Sequence, residues 1–361
     1  MKFDLNNLVR ENIRRLVPYS SARKEFAGAA EIFLDANENS FGSPTERDYN
    51  RYPDPLQREI KERVAAGAGL SPEEIFVGNG SDEAIDLLFR IFCRPGADNV
   101  LICPPTYGMY EVSADINDVA VKRAPLTADF ALDAEAIRST IDAATKILFV
   151  CSPNNPTGNA FPRSEILNLA DEFAGIVVVD EAYIHFSSGE SLAGEIKRRP
   201  NLVVLQTFSK AWGLAGLRVG LAFAQPEIIA LFNKVKPPYN VSEIAQQAVL
   251  AALGHESAVA ETIRKIVDER ENLIDDLREF AFVTRVYPTD ANFVLVKTID
   301  AEAIYRRLLE RKIVVRNRSN VELCEGCLRI TVGTPEENRL LIDALKTYAA
   351  ESIKITETAV N

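Results

Sequence analysis

The feature that most constrains the fold is a regular alternation of short apolar runs and helix-like segments between about Ile75 and Phe223. The runs at 147–150, 176–179 and 202–205 are continuous and apolar, which is typical of buried strands. Strands that alternate with helices form a mostly parallel sheet covered by helices. The sequence therefore predicts an α/β fold, with a mostly parallel central sheet in a large domain.

The pattern changes after Phe223 and predicts a smaller α+β lobe. A chain of 361 residues exceeds the size at which a single core usually stops growing, so two domains are expected. The polar tail after Ser352 is expected to fray. The predicted elements of the smaller lobe are helices at 242–253, 257–280, 301–310 and 335–350, and strands at 283–286, 292–296, 313–315 and 328–332.

A lysine follows the apolar run at 202–205. Thr207, Ser209 and Lys210 come directly after this run, and Arg218 follows a segment interrupted by glycines. A lysine amine forms covalent imines with aldehydes, and an arginine suits a doubly charged phosphate, so pyridoxal phosphate fits this set. A solvated strand end is the alternative interpretation of the lysine.

Three more polar positions follow strand-like runs. Asn155 lies in a loop fixed by prolines, at the end of a strand where open α/β sheets place ligands. Asp180 ends the run at 176–179, where a carboxylate can keep a pyridine nitrogen protonated, and Tyr183 can hydrogen-bond the phenolic oxygen of the same cofactor. An ordinary turn at Asn155 and a helix cap at Asp180 are the structural alternatives.

A glycine loop precedes the helix-like run at 84–92. The backbone amides of Gly80, Ser81 and Asp82 can bind a phosphate at the N-terminus of this helix. The acidic side chains of Asp82 and Glu83 would repel an anion there unless they turn away. Glu83 also replaces the third glycine of a dinucleotide fingerprint, which disfavours a dehydrogenase.

These motifs, in this order and at these separations, resemble those of the fold-type-I pyridoxal-phosphate aminotransferases. Within that group the chain resembles the histidinol-phosphate aminotransferase family. The closer resemblance depends on short segments spread over the whole chain, at 18–19, 34–39, 51–54, 104–107 and 328–334. The segment at 316–320 matches more loosely.

The resemblance implies a role for each matching residue. Lys210 resembles the lysine that holds pyridoxal 5'-phosphate covalently, Asp180 the partner of its ring nitrogen, and Tyr107 the aromatic residue stacked on its ring. Asn155 and Tyr183 are similar to the pair that bonds its phenolic oxygen. The residues similar to the phosphate-binding set are Gly80, Ser81, Asp82, Thr207, Ser209 and Arg218. The residues similar to the substrate-binding set are Tyr19, Asn37, Arg316 and Arg329, together with Tyr52 from the neighbouring subunit of a homodimer.

The resemblance also implies a domain division and a reaction. Residues 42–255 would form the large cofactor-binding domain, and residues 1–41 would pack with 256–361 in the small domain. The expected reaction is amino transfer between L-histidinol phosphate and 2-oxoglutarate, which gives imidazole acetol phosphate and glutamate in histidine biosynthesis. Relatives with the same motifs use aromatic amino acids or decarboxylate threonine phosphate. A ligand-binding module without turnover is a more distant alternative.

Composition excludes several other classes of function. A net charge of −11 argues against nucleic acid or an anionic membrane as a general partner, and no apolar stretch approaches the ~20 residues of a membrane span. The five cysteines are an odd number without a signal peptide, so reduced thiols in the cytoplasm are expected. Cys324 and Cys327 have metal-ligand spacing but lack a second pair, which argues against zinc.

Overall fold

A seven-stranded sheet lies at the centre of the computed structural model, which describes residues 3–19 and 32–360, the side chains of 352–360 excepted. Its strands are β1 (Ile75–Asn79), β2 (Asn99–Ile102), β3 (Ala120–Arg123), β4 (Thr145–Cys151), β5 (Ile176–Asp180), β6 (Leu202–Thr207) and β7 (Val219–Phe223). Their order across the sheet is β1-β7-β6-β5-β4-β2-β3. The neighbours from β6 to β3 are all parallel, so the predicted mostly parallel sheet is confirmed.

The strand β7 runs against the others. It pairs antiparallel with β1 and with β6, between which it lies. Its first residue, Val219, is therefore at the edge of the sheet where β1, β5 and β6 end. Residues that follow the parallel strands and the residue that precedes β7 meet at this one edge.

Alternate side chains of the central strands fill two cores, one on each face of the sheet. In β5, Val177 and Val179 pack on one face while Ile176 and Val178 pack on the other, and β6 alternates in the same way. A β-strand turns successive side chains to opposite faces, so a continuous apolar run buries both. Full burial of each such side chain contributes roughly 1.5–3 kcal/mol.

Helices cover both faces of the large sheet, and side-chain caps begin several of them. Asp133 accepts a hydrogen bond from the backbone N–H of Ala136, and Ser242 accepts one from Ala245, which satisfies donors that the helix itself leaves unpaired. The helices of this part are Arg58–Ala68, Ser81–Phe92, Met109–Ile116, Ala134–Thr140, Arg163–Glu172, Pro226–Val235 and Glu243–Leu253, with short 3₁₀ turns at Pro72–Glu74, Ile184–Phe186, Ala193–Lys197 and Ala215–Leu217.

A second, four-stranded antiparallel sheet forms the smaller lobe. Its strands are β8 (Val283–Val286), β9 (Phe293–Thr298), β10 (Arg316–Asn317) and β11 (Cys327–Thr331), in the order β10-β11-β9-β8. The helices Glu256–Arg278, Ala301–Glu310 and Pro335–Val360 pack on it around a separate core. The predicted α+β lobe is therefore present.

Two predicted elements of this lobe were wrong in their bounds. The segment at 313–315 is not a strand: Lys312 is left-handed, and the N–H of Ile313 still bonds to the carbonyl of Leu308, so strand pairing begins only at Arg316. The closing helix extends to Val360, ten residues beyond its predicted end at 350. Glu351 accepts a hydrogen bond of 2.6 Å from Arg307, which fixes this helix to the preceding one.

The N-terminal residues that the structure describes pack on the large sheet, while the expected domain division as a whole stays a prediction. Val9 and Ile13, in and beside the helices Leu5–Leu8 and Glu11–Arg15, belong to the same core as helix Ser81–Phe92. The N–H of Arg10 donates to the carbonyl of Ile91 at 3.0 Å. Residues 1, 2 and 20–31 lie outside the described residues, and the boundaries 42–255 and 256–361 stay a prediction.

The helices of the described ranges, 3–19 and 32–360, include none that is both long and apolar enough to cross a membrane.

Candidate active site

A cavity of about 660 Å³ lies at the edge of the large sheet where the parallel strands end, and β10 and β11 of the smaller lobe form its opposite wall. Two larger cavities, of about 910 and about 930 Å³, contain none of the residues predicted for the site. The predicted residues that line the first cavity are Ser81, Asp82, Tyr107, Asn155, Asp180, Tyr183, Thr207, Ser209, Lys210, Arg218, Arg316 and Arg329.

Lys210 is presented to the cavity by a tight turn after β6. The N–H of Phe208 bonds to the carbonyl of Val219 at 3.1 Å, and the N–H of Ser209 bonds to Oγ1 of Thr207 at 3.0 Å. The Lys210 side chain remains exposed to the cavity, and its Nζ lies 5.6 Å from the ring centroid of Tyr183. The protein packed around the amine lowers the pKa of Lys210, and two nearby guanidinium groups lower it further.

Asp180 is the last residue of β5 and is only 3% exposed. Burial raises its pKa from the ordinary value of 3.8 to about 6. Two donors oppose this rise: Oη of Tyr110 donates to Oδ2 at 2.7 Å, and the N–H of Ala182 donates to Oδ1 at 3.1 Å. The carboxylate is held in one orientation, with its charge poorly solvated.

Asn155 connects the two walls of the cavity. Its Nδ2 donates to Oη of Tyr183 at 3.5 Å, and its Oδ1 accepts from Nη1 of Arg329. The loop is fixed from beneath by the buried Asn154, which donates to the carbonyl of Pro105 at 2.8 Å. The large sheet and the smaller lobe therefore meet at Asn155.

The glycine loop and Arg218 form a polar pocket at one end of the cavity. Gly80 precedes helix Ser81–Phe92 with a φ of 76°, and this helix has no side-chain cap. A Cβ at Gly80 would lie 2.8 Å from Nη2 of Arg218, so the loop needs glycine to approach the guanidinium. Arg218 donates to Oγ of Ser209 at 3.3 Å.

The two acidic residues of this loop behave differently. Glu83 turns away from the cavity and accepts a hydrogen bond of 2.8 Å from Asn240. Asp82 faces the cavity, where Arg218 donates to Oδ2 at 3.1 Å and Oη of Tyr107 donates to Oδ1 at 3.1 Å. Arg218 balances the charge of Asp82, while the first-turn amides of the helix remain without a capping side chain.

Arginines dominate the opposite wall. The register of β10 and β11 places Arg316 directly across from Arg329, and Arg318 follows two residues later. Burial and the other two guanidinium groups lower the pKa of Arg329. Within the described residues, none of these three arginines forms an ion pair with a carboxylate. This wall therefore attracts anions.

Four predicted residues do not line the cavity of a single chain: Gly80, which lies just behind it at the start of helix Ser81–Phe92, and Tyr19, Asn37 and Tyr52. Tyr19 is 75% exposed, and Asn37 is exposed with a left-handed φ of 55°. The ring of Tyr52 stacks on that of Tyr239 with centroids 4.4 Å apart, and the side chain is half exposed. Their predicted roles, which for Tyr52 require a second subunit, stay predictions.

Tyr110 was missed from the sequence, and Arg318 was included only in the loosely matching segment at 316–320, without a role of its own. Tyr110, which bonds Asp180, lies in the first turn of helix Met109–Ile116, three residues after Tyr107, and the two ring centroids are 5.6 Å apart. Arg318 alternates with Arg316, a spacing that places both on one face of an extended segment. Both spacings can be read from the sequence, but neither shows which residue or ligand the side chain will contact.

The comparisons with known proteins agree with this geometry. A model of the family described as "Aminotransferase class I and II" matches residues 31–345, and the chain belongs to this family. This chain is 51% identical over 348 residues to a histidinol-phosphate aminotransferase of Cytophaga hutchinsonii, and the aligned region covers 96% of this chain and 100% of the relative.

Two solved structures have the same fold. The histidinol-phosphate aminotransferase of Clostridium acetobutylicum superposes with a TM-score of 0.78 at 28% identity, over 84% of this chain and 92% of that one. The enzyme of the same name from Sinorhizobium meliloti, in complex with pyridoxal-5'-phosphate, gives a TM-score of 0.77 at 25% identity, over 88% of this chain and 90% of that one. The predicted fold and family are confirmed.

Proposed function

We propose that the protein transfers an amino group between L-histidinol phosphate and 2-oxoglutarate, giving imidazole acetol phosphate and glutamate in histidine biosynthesis. The observation that carries this proposal is a single cavity in which the Lys210 amine and the buried Asp180 face a wall of arginines that form no ion pair within the described residues. Similarity over nearly the whole chain, at 51% identity, to a relative named for this activity supports it.

We propose pyridoxal 5'-phosphate as the cofactor, and the residues present fit it. The uncapped helix N-terminus at Ser81, the hydroxyl of Ser209 and the guanidinium of Arg218 supply donors for a phosphate. The absence of a Cβ at Gly80 lets the guanidinium of Arg218 lie close to the backbone of this loop, so both kinds of donor face the same pocket. When bound, the cofactor would supply an electron sink for the charge left on a substrate carbon that loses its proton.

Lys210 is the proposed covalent anchor and proton carrier. A lysine with an ordinary pKa of about 10.4 is almost fully protonated at neutral pH and is a poor base. Burial and the guanidinium groups of Arg329 and Arg218 lower this pKa and increase the neutral fraction. The neutral amine can then take the Cα proton of the substrate onto Nζ and give it up again as the product forms.

Asp180 is the proposed partner of the cofactor ring nitrogen. A carboxylate that burial keeps poorly solvated gains most from a cation placed beside it. Tyr110 and the N–H of Ala182 orient both oxygens, so little reorganisation is needed when the cation binds. Tyr107 is the proposed stacking residue for the ring, and Asn155 and Tyr183 are the proposed donors to its phenolic oxygen.

The substrate anion is proposed to bind at Arg316 and Arg329. The planar guanidinium group can donate two hydrogen bonds to either a phosphate or a carboxylate, as the two half-reactions require. Tyr19 and Asn37 are proposed to assist, with Tyr52 contributed by the other subunit of a homodimer. We place the enzyme in the cytoplasm, since its five cysteines are free and buried as in a reducing compartment.

A competition assay tests the substrate. The purified protein, loaded with pyridoxal phosphate, is offered histidinol phosphate, phenylalanine and threonine phosphate together, and each product is quantified. We expect histidinol phosphate to be consumed first, and Lys210→Ala to lower its turnover by at least about 10²-fold. Preference for phenylalanine, or decarboxylation of threonine phosphate, would replace the proposed activity with that of a relative.

A further inference from the structure

Arg318 is a charged residue in the cavity wall that the proposed reaction leaves without a role. Its N–H donates to the carbonyl of Cys327 at 2.8 Å, which extends the β10–β11 ladder one residue beyond Asn317. This bond fixes the backbone while the side chain lines the cavity beside Arg316. Arg318 is thus held in place by its main chain, and its side chain is free for a ligand.

The guanidinium of Arg318 has no partner among the described residues. Its Nε is buried and unbonded, as is Nε of Arg329. A buried donor without an acceptor costs about 1–3 kcal/mol, and a charged one costs more. Such an arrangement persists most readily where a ligand supplies the missing acceptor.

Glu322, the acidic residue of the same loop that lines the cavity, is paired with another arginine. Glu322 accepts a hydrogen bond of 3.0 Å from Arg123, which also donates to Glu111 at 2.6 Å. Within the part of the chain that the structure describes, the arginines at 316, 318 and 329 therefore line the cavity without an ion pair to a carboxylate. Arg316 and Arg318 line the same cavity, and burial together with the Arg316 charge lowers the pKa of Arg318.

A carboxylate side chain carries one negative charge, whereas a phosphate monoester carries about −1.5 to −2 at pH 7 and has three acceptor oxygens. The cross-strand pair Arg316 and Arg329 is sufficient for one carboxylate. A third guanidinium matches the additional charge and the third oxygen of a phosphate.

We infer that Arg318 is the specificity-determining residue that makes this site prefer a phosphomonoester substrate over a carboxylate of similar length. The inference rests on the proposed function, because it names the residue that distinguishes the phosphate-bearing donor from glutamate at one shared anion site. Arg316 and Arg329 would bind either substrate, and Arg318 would add affinity only for the dianion.

The test compares the loaded wild-type enzyme with Arg318→Gln, Arg318→Lys and the control Arg311→Gln. Arg311 is exposed in the same lobe and lies outside the cavity, so the control removes the same charge. The measurements are kcat/KM for histidinol phosphate and for glutamate, and the inhibition constant of inorganic phosphate against whichever amine donor the enzyme uses.

We expect Arg318→Gln to lower kcat/KM for histidinol phosphate roughly 10- to 100-fold, mainly through KM, because one charge-assisted contact is lost. Glutamate should change less than about threefold, phosphate inhibition should weaken by a similar 10-fold or more, and Arg318→Lys should recover part of the loss. The control should match the wild type.

Equal losses for both donors, or an unchanged phosphate inhibition constant, would overturn the inference and leave Arg318 a structural residue. The proposed function fails in a different way: the wild type itself would then prefer another donor. The phosphate inhibition constants of the wild type and Arg318→Gln would still decide the role of Arg318 in that case.

Discussion

The buried carboxylate of Asp180 should destabilise the protein when the cofactor is absent. Its pKa of about 6 in the folded chain exceeds the ordinary 3.8, and this difference multiplied by about 1.36 kcal/mol gives about 3 kcal/mol. As the pH rises, the unfolded chain releases this proton first, so stability falls between about pH 4 and about pH 6 and stays lower above that window.

Asp180→Asn removes the charge but keeps the shape. The amide oxygen can still accept from the N–H of Ala182, and the amide nitrogen can donate to Oη of Tyr110. We expect the cofactor-free variant to be more stable than the cofactor-free wild type by about 1.5 kcal/mol near pH 5 and by about 3 kcal/mol near pH 7.5. Added pyridoxal phosphate should reverse this order, because only the wild type gains a charge pair.

Urea unfolding at a fixed protein concentration, followed by the fluorescence of the single tryptophan, Trp212, measures these differences. Asp115→Asn, at an exposed position of helix Met109–Ile116, is the matched control. The difference in unfolding free energy between this variant and the wild type should be the same near pH 5 and near pH 7.5. A cofactor-free Asp180→Asn variant that is no more stable than the wild type near pH 7.5 would refute the reasoning from burial.

Three further predictions concern other parts of the site. Gly220→Ala should destabilise the protein by at least about 3 kcal/mol in urea unfolding, because the added Cβ would lie 2.2 Å from the backbone nitrogen of Ser81. The control Gly67→Ala adds a Cβ in open space on a helix and should instead stabilise the protein by about 0.5–1 kcal/mol. Tyr110→Phe should raise the pKa of Asp180 above about 6 and weaken cofactor binding roughly 10-fold in a fluorescence titration, since a donor to the carboxylate is lost. In mixed dimers, Tyr52→Phe in one subunit should impair the active site of its partner.

Each of these predictions has an outcome that contradicts it. A Gly220→Ala protein as stable as the wild type would mean that the glycine loop can move away from β7. Unchanged cofactor affinity in Tyr110→Phe would mean that water replaces the phenol. Mixed dimers in which each subunit depends only on its own Tyr52 would remove the shared active site.

The sequence predicts those parts of the site that depend on local pattern. Apolar, mostly β-branched residues ending in Asp180 define a strand and its end, and the same holds for the strand before Lys210. The carboxyl ends of parallel strands lie at the same edge of a sheet, so the residues that follow these strands can be predicted to lie close together without knowledge of distant contacts. The fold class and the cavity of the site follow from this rule.

Strand direction and long-range contacts are not present in local pattern. The apolar residues of β7 resemble those of the parallel strands of the same sheet, and only the packed sheet shows that β7 runs antiparallel to its neighbours β1 and β6. Tyr110 and Asp180 are 70 residues apart in the chain, so no spacing rule connects them. The N-terminal segment likewise binds the large sheet through Val9 and Ile13, two apolar residues that would fit either core.

The reversed strand also has a consequence for how the molecule opens. Thr207 pairs with Gly220 across β6 and β7, so the intervening residues form a closed loop that carries both Lys210 and Arg218. A ligand that contacts both the Lys210 amine and the Arg218 guanidinium would hold the two ends of this loop together. The amide hydrogens of residues 208 to 218 should then exchange with solvent as one unit, slowly in the ligand-bound protein and much faster in the ligand-free protein.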